Sequence, residues 1–376
     1  MATTKEGSKE GPPEKRGVRR WLRPSVSWLL AFVPVAVALD HAGASPPLVF
    51  FAAALAIVPI ASWIVRATEQ LATYTGDAVG GLLNGTFGNA PELIIGVVAL
   101  RAGLFDMVVA SLVGAILANL LLALGVAFFL GGLRYRDQAF RPEATRAYLS
   151  MMLLAVTSMA VPSAMRELSG GAAPAAERHL NLAVALVLLA TYGLYVLFML
   201  KTHKHLFVAE GGQEGHGEEG PRWSVARALV TLAAASVLAA WMSEVLVGAA
   251  EGTGQSLGLS KAFVGLVFLA IVGGAAESGS AIAMGRANRM DLAVGIAVGS
   301  CIQIALFVAP LLVLASYAVA PQPLLLLFPR SLVATTFIAV LVAAVVIGDG
   351  RSNWFKGVQL VVVYGLIALL AFFVGV

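Results

Sequence analysis

Eleven apolar stretches succeed one another between residue 27 and residue 375, and this succession limits the possible fold more than any other feature. A helix needs about 20 consecutive apolar residues to span the hydrocarbon core of a bilayer. Only 12% of the residues are charged, about half the share found in soluble proteins. The sequence therefore predicts an all-α polytopic membrane protein with about eleven transmembrane helices. The predicted spans are residues 27–43, 48–65, 77–100, 107–130, 147–162, 180–200, 225–249, 262–285, 291–318, 331–348 and 354–375.

The same composition argues against several functional classes. A single cysteine, Cys301, excludes a disulfide scaffold and a cysteine-rich metal cluster. Short loops leave little chain for a soluble domain, and no GxxxxGK[ST] motif occurs, so a nucleotide-driven pump is disfavoured. Ser278-Gly279-Ser280 beside Glu277 is the one hint of an intramembrane hydrolase, but no H-E-x-x-H motif supports it. We therefore expect no enzyme, no cofactor and no nucleic-acid partner.

The distribution of Lys and Arg predicts the orientation of the chain. Basic residues concentrate in cytoplasmic loops. With the N-terminus inside, 20 of the 25 basic residues lie in inner segments and 5 in outer ones. Without the seven basic residues of the first 23 positions, the split is still 13 to 5. We expect a multi-pass protein of a bacterial inner (plasma) membrane, with a cytoplasmic N-terminus and no favoured oligomeric state.

The polar segments divide the chain into five parts. Small residues at Ala42-Gly43-Ala44 also fit a signal-peptide cleavage site, so the first apolar segment is either an uncleaved helix or a cleaved leader. The linker holds His203, His205, His216 and several glutamates, and we interpret it as a solvated connection rather than a metal sensor. The parts are a disordered basic tail (1–26), a first helix (27–44), a first five-helix repeat (45–200), a cytoplasmic linker (201–224) and a second repeat (225–376).

An internal repeat appears when the chain is compared with itself at an offset of 185 residues. Ten of the 34 residues at positions 88–121 are then identical to those at 273–306. The charged matches are the informative ones, because they place Glu92 on Glu277, Arg101 on Arg286 and Asp106 on Asp291. The third span runs outward and the eighth runs inward, so the repeat is inverted. Inverted repeats are typical of secondary transporters that work by alternating access.

Two glutamates dominate the chemistry of the predicted spans. Glu92 and Glu277 each lie sixteen residues into a 24-residue apolar stretch, and no Lys or Arg lies deep in any span. An unpaired carboxylate at this depth costs about 2.5–3.5 kcal/mol on insertion scales. Each must therefore carry a proton or hold a mobile cation. Burial favours the protonated form and a bound cation favours the ionised form, which is the competition a cation/proton antiporter needs.

Neighbouring polar residues supply oxygen ligands for such a cation. Pro91 also frees a backbone carbonyl one turn back, at Phe87. Donor sets made only of oxygen favour hard cations such as Ca²⁺, Mg²⁺, Mn²⁺ or Na⁺. The alternative role of each polar residue is a hydrogen bond between helices. The candidate ligands are Glu92, Glu277, Asn89, Ser111, Asn119, Ser300 and Gln303.

Three motifs resemble those of the calcium/proton exchanger family. Residues 80–94 read GGLLNGTFGNAPELI, residues 110–122 read ASLVGAILANLLL and residues 291–307 read DLAVGIAVGSCIQIALF. The resemblance extends over nearly all of the chain from about residue 45. It implies eleven helices, two inverted five-helix repeats, the two motif glutamates as the ion site and an acidic segment between the halves. It also implies that Glu69 and Glu244 line the ion route.

One departure from the family pattern concerns the second motif, which usually reads Gly-Asn-Ala-Ala-Glu-His. Here Gly274 replaces the Asn and Ser278 replaces the His. The site loses an amide and an imidazole, while the Ser278 hydroxyl remains a candidate ligand. We interpret the chain as an exchanger of Ca²⁺ for H⁺, whose partners are the bilayer, the transported cation and protons. The alternatives are an exchanger for another cation, such as Na⁺ or Mn²⁺, and a cation channel.

Overall fold

The computed structural model of the chain describes residues 26–168, 174–207 and 222–374. The described part is an all-α polytopic membrane fold with one short pair of strands. Most of the predicted tail and the centre of the predicted linker lie outside the described residues. The helices are α1 (Val26–His41), α2 (Pro46–Phe87), α3 (Ala90–Arg101), α4 (Phe105–Tyr135), α5 (Pro142–Leu168), α6 (Pro174–Leu197), α7 (Lys204–Phe207), α8 (Val225–Leu257), α9 (Lys261–Gly273), α10 (Ala275–Arg286), α11 (Met290–Val319), α12 (Arg330–Ile347) and α13 (Trp354–Val374), and the strands are β1 (Asp137–Ala139) and β2 (Arg351–Asn353).

The helices within the described ranges agree with the predicted spans. Eight of them are long and apolar enough to cross a membrane. The pair α9 and α10 passes the same test as one span bent by 60°, and α1 is a shorter apolar helix. The remaining predicted span corresponds to the second part of α2 followed by α3. The structure is therefore consistent with eleven spans, and the number itself stays a prediction.

Helix α2 contains 42 residues, but it is not a straight rod. In a straight helix, residues eight apart are separated by about 12 Å along the axis. A Cβ atom placed on Gly80 would instead lie 2.9 Å from the carbonyl oxygen of Ala72. The chain therefore folds back between these two residues. This reversal separates the apolar stretches at 48–65 and 77–100, which the sequence predicts as two spans.

The bounds of the helices repeat at the same 185-residue offset as the sequence. Helix α3 spans residues 90–101 and α10 spans 275–286, so their ends coincide under the offset. Both follow a break in the chain, at Gly88–Asn89 and at Gly274. Helices α4 and α11 also correspond, and each contains a π-helical turn at the matching place. These turns are Ala118–Ala123 and Ile304–Val308.

One group of loops meets at a common face of the molecule. Strands β1 and β2 pair antiparallel there, with Gln138 opposite Ser352. The Gln138 amide reaches Asn288, in the loop after α10, at 2.9 Å. Arg141 forms an ion pair with Asp291 at 3.7 Å. All of these residues belong to segments that the sequence places on the inner side.

A second group of loops meets at the opposite ends of the helices. The Asn181 amide donates to the carbonyl of Leu324 at 2.8 Å, and the backbone amide of Phe328 donates to Ser163. The loop after α3 approaches the same group, because a Cβ on Gly103 would lie 4.0 Å from Pro321. Helices α3 and α10 therefore end at opposite faces, so the repeat is inverted. Which face is cytoplasmic stays a prediction.

Candidate ion-binding site

The two chain breaks place the predicted glutamates in equivalent positions. Glu92 lies in the first turn of α3, and Glu277 lies in the first turn of α10. The first-turn hydrogen bonds also match, since the amide of Leu93 donates to the Asn89 carbonyl and that of Ser278 to the Gly274 carbonyl. The start of a helix carries a partial positive charge that stabilises a nearby anion. Each break thus supplies one carboxylate at a favourable helix end.

The helix breaks also bring the two halves close together at this level. A Cβ on Gly273, the last residue of α9, would lie 3.0 Å from Cγ of Glu92. Gly273 is four residues, or about one helical turn, before Glu277. Glu92 from the first half therefore packs against the break that positions Glu277 in the second half. Glycine leaves the space that the Glu92 side chain occupies.

The carboxylates are buried without compensation from the described residues. Glu277 is 8% exposed. All four carboxylate oxygens of Glu92 and Glu277 are inaccessible and have no hydrogen-bond partner among the described residues. An uncompensated charge in such a place is strongly unfavourable. A proton or a cation bound to these oxygens would remove the unfavourable charge.

Two polar contacts surround the carboxylates, and each joins one half to the other. The amide nitrogen of Asn89, just before α3, donates to Oε1 of Gln303 on α11. The hydroxyl of Ser278 on α10 donates to Oδ1 of Asn119 on α4 at 3.1 Å. The Asn89 Oδ1 atom is buried and has no partner within the described residues. The structure thus brings six of the predicted site residues into one region: Asn89, Glu92, Asn119, Glu277, Ser278 and Gln303.

The two remaining serines of the predicted site lie apart from these contacts. The Ser111 hydroxyl donates to the carbonyl of Val108 in its own helix at 2.8 Å. Ser300 is buried on α11, three residues before Gln303 and on the same face of the helix, but no hydrogen bond within the described residues joins it to the site. The contacts within the described residues join neither serine to the carboxylates. Their predicted role as ligands stays a prediction.

The family resemblance places two acids on the ion route, and one of them, Glu244, lies toward the end of α3 and not beside the carboxylate pair. Glu244 on α8 forms an ion pair with Arg101 at 3.5 Å, where both side chains are largely exposed. Arg101 ends α3, so this pair lies toward the face where α3 ends. Glu69 is half-buried on α2, one residue before Gln70, which accepts a hydrogen bond from the backbone of Trp223. Their place on an ion route stays a prediction.

One residue that the sequence does not single out, Tyr192, contacts the site beside Gly85. A Cβ on Gly85 would lie 2.5 Å from the hydroxyl of Tyr192 and 3.4 Å from Nε2 of Gln303. Tyr192 on α6 is buried and stacks near Phe307, with ring centroids 5.2 Å apart. Four residues separate Gly85 from Asn89. The glycine signals a close approach in the sequence, but the tyrosine that fills the space is 107 positions away.

The local helix geometry is irregular near the site. Asn119 lies within one π-helical turn, and Gln303 immediately precedes another. Such turns are frequent at functional sites because they alter the regular backbone hydrogen bonding. No group of three or more His, Cys, Asp or Glu side chains that could hold a metal occurs in the described ranges. A cation at this place would be bound by two carboxylates together with amide, hydroxyl and backbone oxygens.

The fold and the buried carboxylate pair define a polytopic membrane protein built from two inverted halves. The model of the sodium/calcium exchanger protein family matches residues 45–201 and 227–373. The chain belongs to this family. The match is interrupted where the sequence predicts a linker.

Relatives and solved structures support the same assignment. The chain is 41% identical over 364 residues to the Ca²⁺/H⁺ antiporter of Synechocystis, a match that covers 92% of this chain and 96% of the relative. It is 39% identical over 327 residues to the Ca²⁺/H⁺ antiporter ChaA of Bacillus subtilis, covering 86% and 92% of the two chains. The solved structure of native YfkE is 35% identical with a TM-score of 0.79, covering 93% of this chain and 100% of that one.

Proposed function

We propose that this protein is a secondary active transporter that exchanges Ca²⁺ for protons by alternating access. The observation that carries the proposal is the pair Glu92 and Glu277, whose buried oxygens have no hydrogen-bond partner within the described residues. The relatives named Ca²⁺/H⁺ antiporters support the choice of substrates, since they match nearly the whole chain at about 40% identity. Because its homologues are transporters, we assign the chain no catalytic activity.

Charge balance explains how the two substrates exclude each other. The two carboxylates balance one divalent cation or, when protonated, need no counter-ion. Burial disfavours the ionised form unless a cation is present, so releasing Ca²⁺ and binding protons are one coupled event. Two ionised carboxylates without a bound cation would repel each other across the break at Gly274. The empty, fully ionised state is therefore the least favourable one, which suppresses uncoupled leakage.

The proposed ligands come from both halves of the molecule. Ca²⁺ takes six to eight oxygen ligands in a flexible arrangement. Glu92, Glu277 and the unpartnered Asn89 Oδ1 are the strongest candidates, because their oxygens are buried and unsatisfied by the described residues. Asn119, Ser278 and Gln303 already hydrogen-bond within the site and would orient the others or bind directly. We keep Ser111 and Ser300 as further candidate ligands.

The inverted halves suit alternating access. We propose that residues 45–200 and 225–376 form the two five-helix repeats, with 27–44 as an additional helix and 201–224 as a cytoplasmic linker. The tail at 1–26 is then cytoplasmic, in a bacterial plasma membrane. We propose that Glu69 and Glu244 line the route to the site, at its two ends. The ion pair of Glu244 with Arg101 places a charged residue at the end of the helix that carries Glu92.

A second candidate substrate follows from the second motif. Gly274 supplies no side-chain oxygen, and the Ser278 hydroxyl donates to Asn119. The half of the site around Glu277 therefore lacks a counterpart to the Asn89 amide oxygen, which is unpartnered within the described residues beside Glu92. Fewer oxygen ligands would suit Na⁺ or Mn²⁺ better than Ca²⁺.

Everted membrane vesicles with an imposed pH gradient test the proposal. A pH-sensitive dye inside acidified vesicles should report proton efflux when Ca²⁺ is added, and radioactive Ca²⁺ should accumulate in parallel. Mn²⁺, Mg²⁺ and Na⁺ serve as competing cations. Ca²⁺ uptake that continues at full rate after the pH gradient is collapsed would indicate a channel and contradict the proposal. Proton efflux driven only by another cation would replace Ca²⁺ as the substrate.

A further inference from the structure

The far end of α10, the helix that carries Glu277, is held by a residue of the other half. Gln138 lies in β1, between α4 and α5, and is 2% exposed. Its amide nitrogen donates to the Gly285 carbonyl at 3.0 Å and to Oδ1 of Asn288 at 2.9 Å. Gly285 lies in the last turn of α10. Both hydrogens of one amide are therefore used to hold the end of this helix.

Helix α10 is short enough to move as one rigid body. It contains 12 residues and follows α9 at a bend of 60°, with Gly274 as the single residue between them. Glu277 is eight residues before Gly285, which corresponds to about 12 Å along the helix axis. A helix with a flexible residue at one end has its orientation determined by what holds the other end. The Gln138 contact therefore contributes to the orientation of α10, and with it to the position of the Glu277 carboxylate.

The packing around the contact has no spare room. A Cβ on Gly285 would lie 2.8 Å from the carbonyl oxygen of Ala127 on α4. A Cβ on Gly131 would overlap Oε1 of Gln138 and would lie 2.8 Å from the Gly285 carbonyl. The end of α10, the end of α4 and the Gln138 side chain thus meet at two glycines. A displacement of the Gln138 side chain would therefore shift the end of α10, because the close contacts at Gly131 and Gly285 leave no space between them.

Helix α3 lacks the equivalent restraint. The 185-residue offset places Pro323 at the position of Gln138, and proline has no side-chain donor. The end of α3 approaches this loop at Gly103, where a Cβ would lie 4.0 Å from Pro321, and no side-chain hydrogen bond within the described residues joins the two. The loop itself is held instead by Asn181, which donates to Leu324. The restraint is therefore a property of one half and not of the repeat.

We infer that Gln138 is a positioning residue for ion exchange, which holds α10 so that Glu277 faces Glu92 in the orientation that binds the cation. The inference rests on the proposed function, because it assigns the effect of Gln138 to cation binding at Glu277. Gln138 lies two helical turns from the carboxylate and acts only through α10.

The test compares Gln138→Met, which keeps the length of the side chain and removes both hydrogen bonds, with the parent protein. Exchange is measured in everted vesicles over a range of Ca²⁺ concentrations and divided by the amount of monodisperse protein recovered. We expect the half-saturating Ca²⁺ concentration to rise by about threefold or more, as expected for the loss of one or two buried hydrogen bonds. Mere loss of folded transporter would lower the maximal rate and leave the half-saturating concentration unchanged.

Two further variants make the comparison specific. Asn288→Gly removes one of the two acceptors and suits the positive φ of 59° at this position, so we expect a shift in the same direction but smaller. It also tests the inference if Gln138→Met does not fold. Ser352→Ala is the matched control, because Ser352 is fully buried opposite Gln138 in the strand pair and does not contact α10 through a hydrogen bond. Its half-saturating concentration should stay at the parent value.

An unchanged half-saturating concentration in both Gln138→Met and Asn288→Gly would overturn the inference. If the parent protein shows no exchange, the proposed function fails, and a readout without transport then decides. In that case the rate at which a water-soluble maleimide labels Ser280→Cys, on the exposed side of α10, is compared with and without Gln138→Met in a Cys301→Ala background. A changed labelling rate supports the restraint on α10, and equal rates contradict it.

Discussion

Helices α3 and α10 occupy equivalent positions in the two repeats but carry different side chains. Both have 12 residues, a glutamate in the third position and an arginine in the last. After Glu92, α3 continues with Leu93-Ile94-Ile95 and is mostly buried or half-buried. After Glu277, α10 continues with Ser278-Gly279-Ser280, and both Gly279 and Ser280 are exposed. The apolar helix packs into the protein, and the polar one presents a small, hydrophilic side.

The comparison shows that both repeats have the glutamate and the break in the backbone, but not the same residues around the glutamate. Asn89 stands before α3 and contacts Gln303 across the halves. Gly274 stands before α10, and the contact across the halves comes from Ser278 instead. The two glutamates therefore face the cation with unequal sets of neighbours. Four predictions measure how far this inequality extends.

The largest effect is expected from the glutamates themselves, where the two helices should behave alike. Glu92→Gln and Glu277→Gln keep the shape of the side chain but remove its charge and its ability to titrate. We expect each variant to show less than about a tenth of the parent exchange rate, a change that corresponds to about 1.4 kcal/mol. The measurement is Ca²⁺-driven proton efflux from everted vesicles. Glu251→Gln, on an exposed pair with Lys261, is the control that should stay active.

If the variant at one glutamate retained most of the parent exchange rate, the two helices would contribute unequally to exchange. Such a result would show that one carboxylate carries the cation alone. Normal amounts of monodisperse protein are required for this comparison, because a loss of fold would imitate a loss of function.

The second prediction concerns the opposite directions of α3 and α10. Ala102 and Ala287 are both exposed, both follow the last residue of their helix and correspond under the 185-residue offset. In a Cys301→Ala background, we expect an impermeant maleimide to label Ala102→Cys in intact cells and Ala287→Cys in everted vesicles. The reverse pattern would mean that the N-terminus is outside. Labelling of both from one side would contradict the inverted repeat.

Much of this comparison could be predicted from the sequence. Long apolar stretches indicated the spans, because a helix needs about 20 apolar residues to cross a bilayer. The offset of 185 residues paired Glu92 with Glu277, and the structure confirms that the bounds of α3 and α10 follow the same offset. The glutamates were identifiable because an unpaired acid inside an apolar span has few structural explanations.

The contacts between distant elements could not be predicted in the same way. Tyr192 fills the space beside Gly85, and Gln138 holds the end of α10, yet neither residue stands out in composition or spacing. Which side chains meet is determined by the packing of the whole bundle, and outside the internal repeat a single sequence carries no signal for contacts between distant positions. The role of Ser111 is likewise open from the sequence, since its hydroxyl donates to its own helix and its place as a ligand stays a prediction.

The third prediction restores to α10 the amide that α3 has. Gly274→Asn should fit, because Gly274 has φ of −80° and ψ of 13°, which asparagine adopts readily. A Cβ there would lie 3.5 Å from Nδ2 of Asn119, which is ordinary contact. We expect the half-saturating cation concentration to fall by about three- to tenfold, where tenfold equals about 1.4 kcal/mol. The measurement is the cation dependence of exchange.

Gly273→Ala is the matched control for this substitution, because it adds one methyl group at the neighbouring position. That methyl would lie 3.0 Å from Cγ of Glu92, so we expect weaker cation binding. If both variants change the half-saturating concentration in the same direction, the effect of Gly274→Asn is steric. The proposed ligand at this position would then be excluded.

The smallest effect is expected from Ser278→His, which adds a titratable group next to Glu277. The Ser278 hydroxyl donates to Asn119 at 3.1 Å, and a ring nitrogen could take over this bond while the ring as a whole takes up a proton. An unperturbed imidazole does so near pH 6.5, where the resulting charge would repel a divalent cation. We expect the half-saturating cation concentration of the variant to exceed that of the parent by about threefold at pH 6, a shift of about 0.65 kcal/mol, and to approach it at pH 8.5.

Ser278→Asn, which is polar but does not titrate, is the control that distinguishes the effect of the charge from the effect of the larger side chain. A pH profile of Ser278→His that parallels those of Ser278→Asn and the parent would show that this side of α10 does not face the ion, and the comparison with α3 would then be limited to the glutamates.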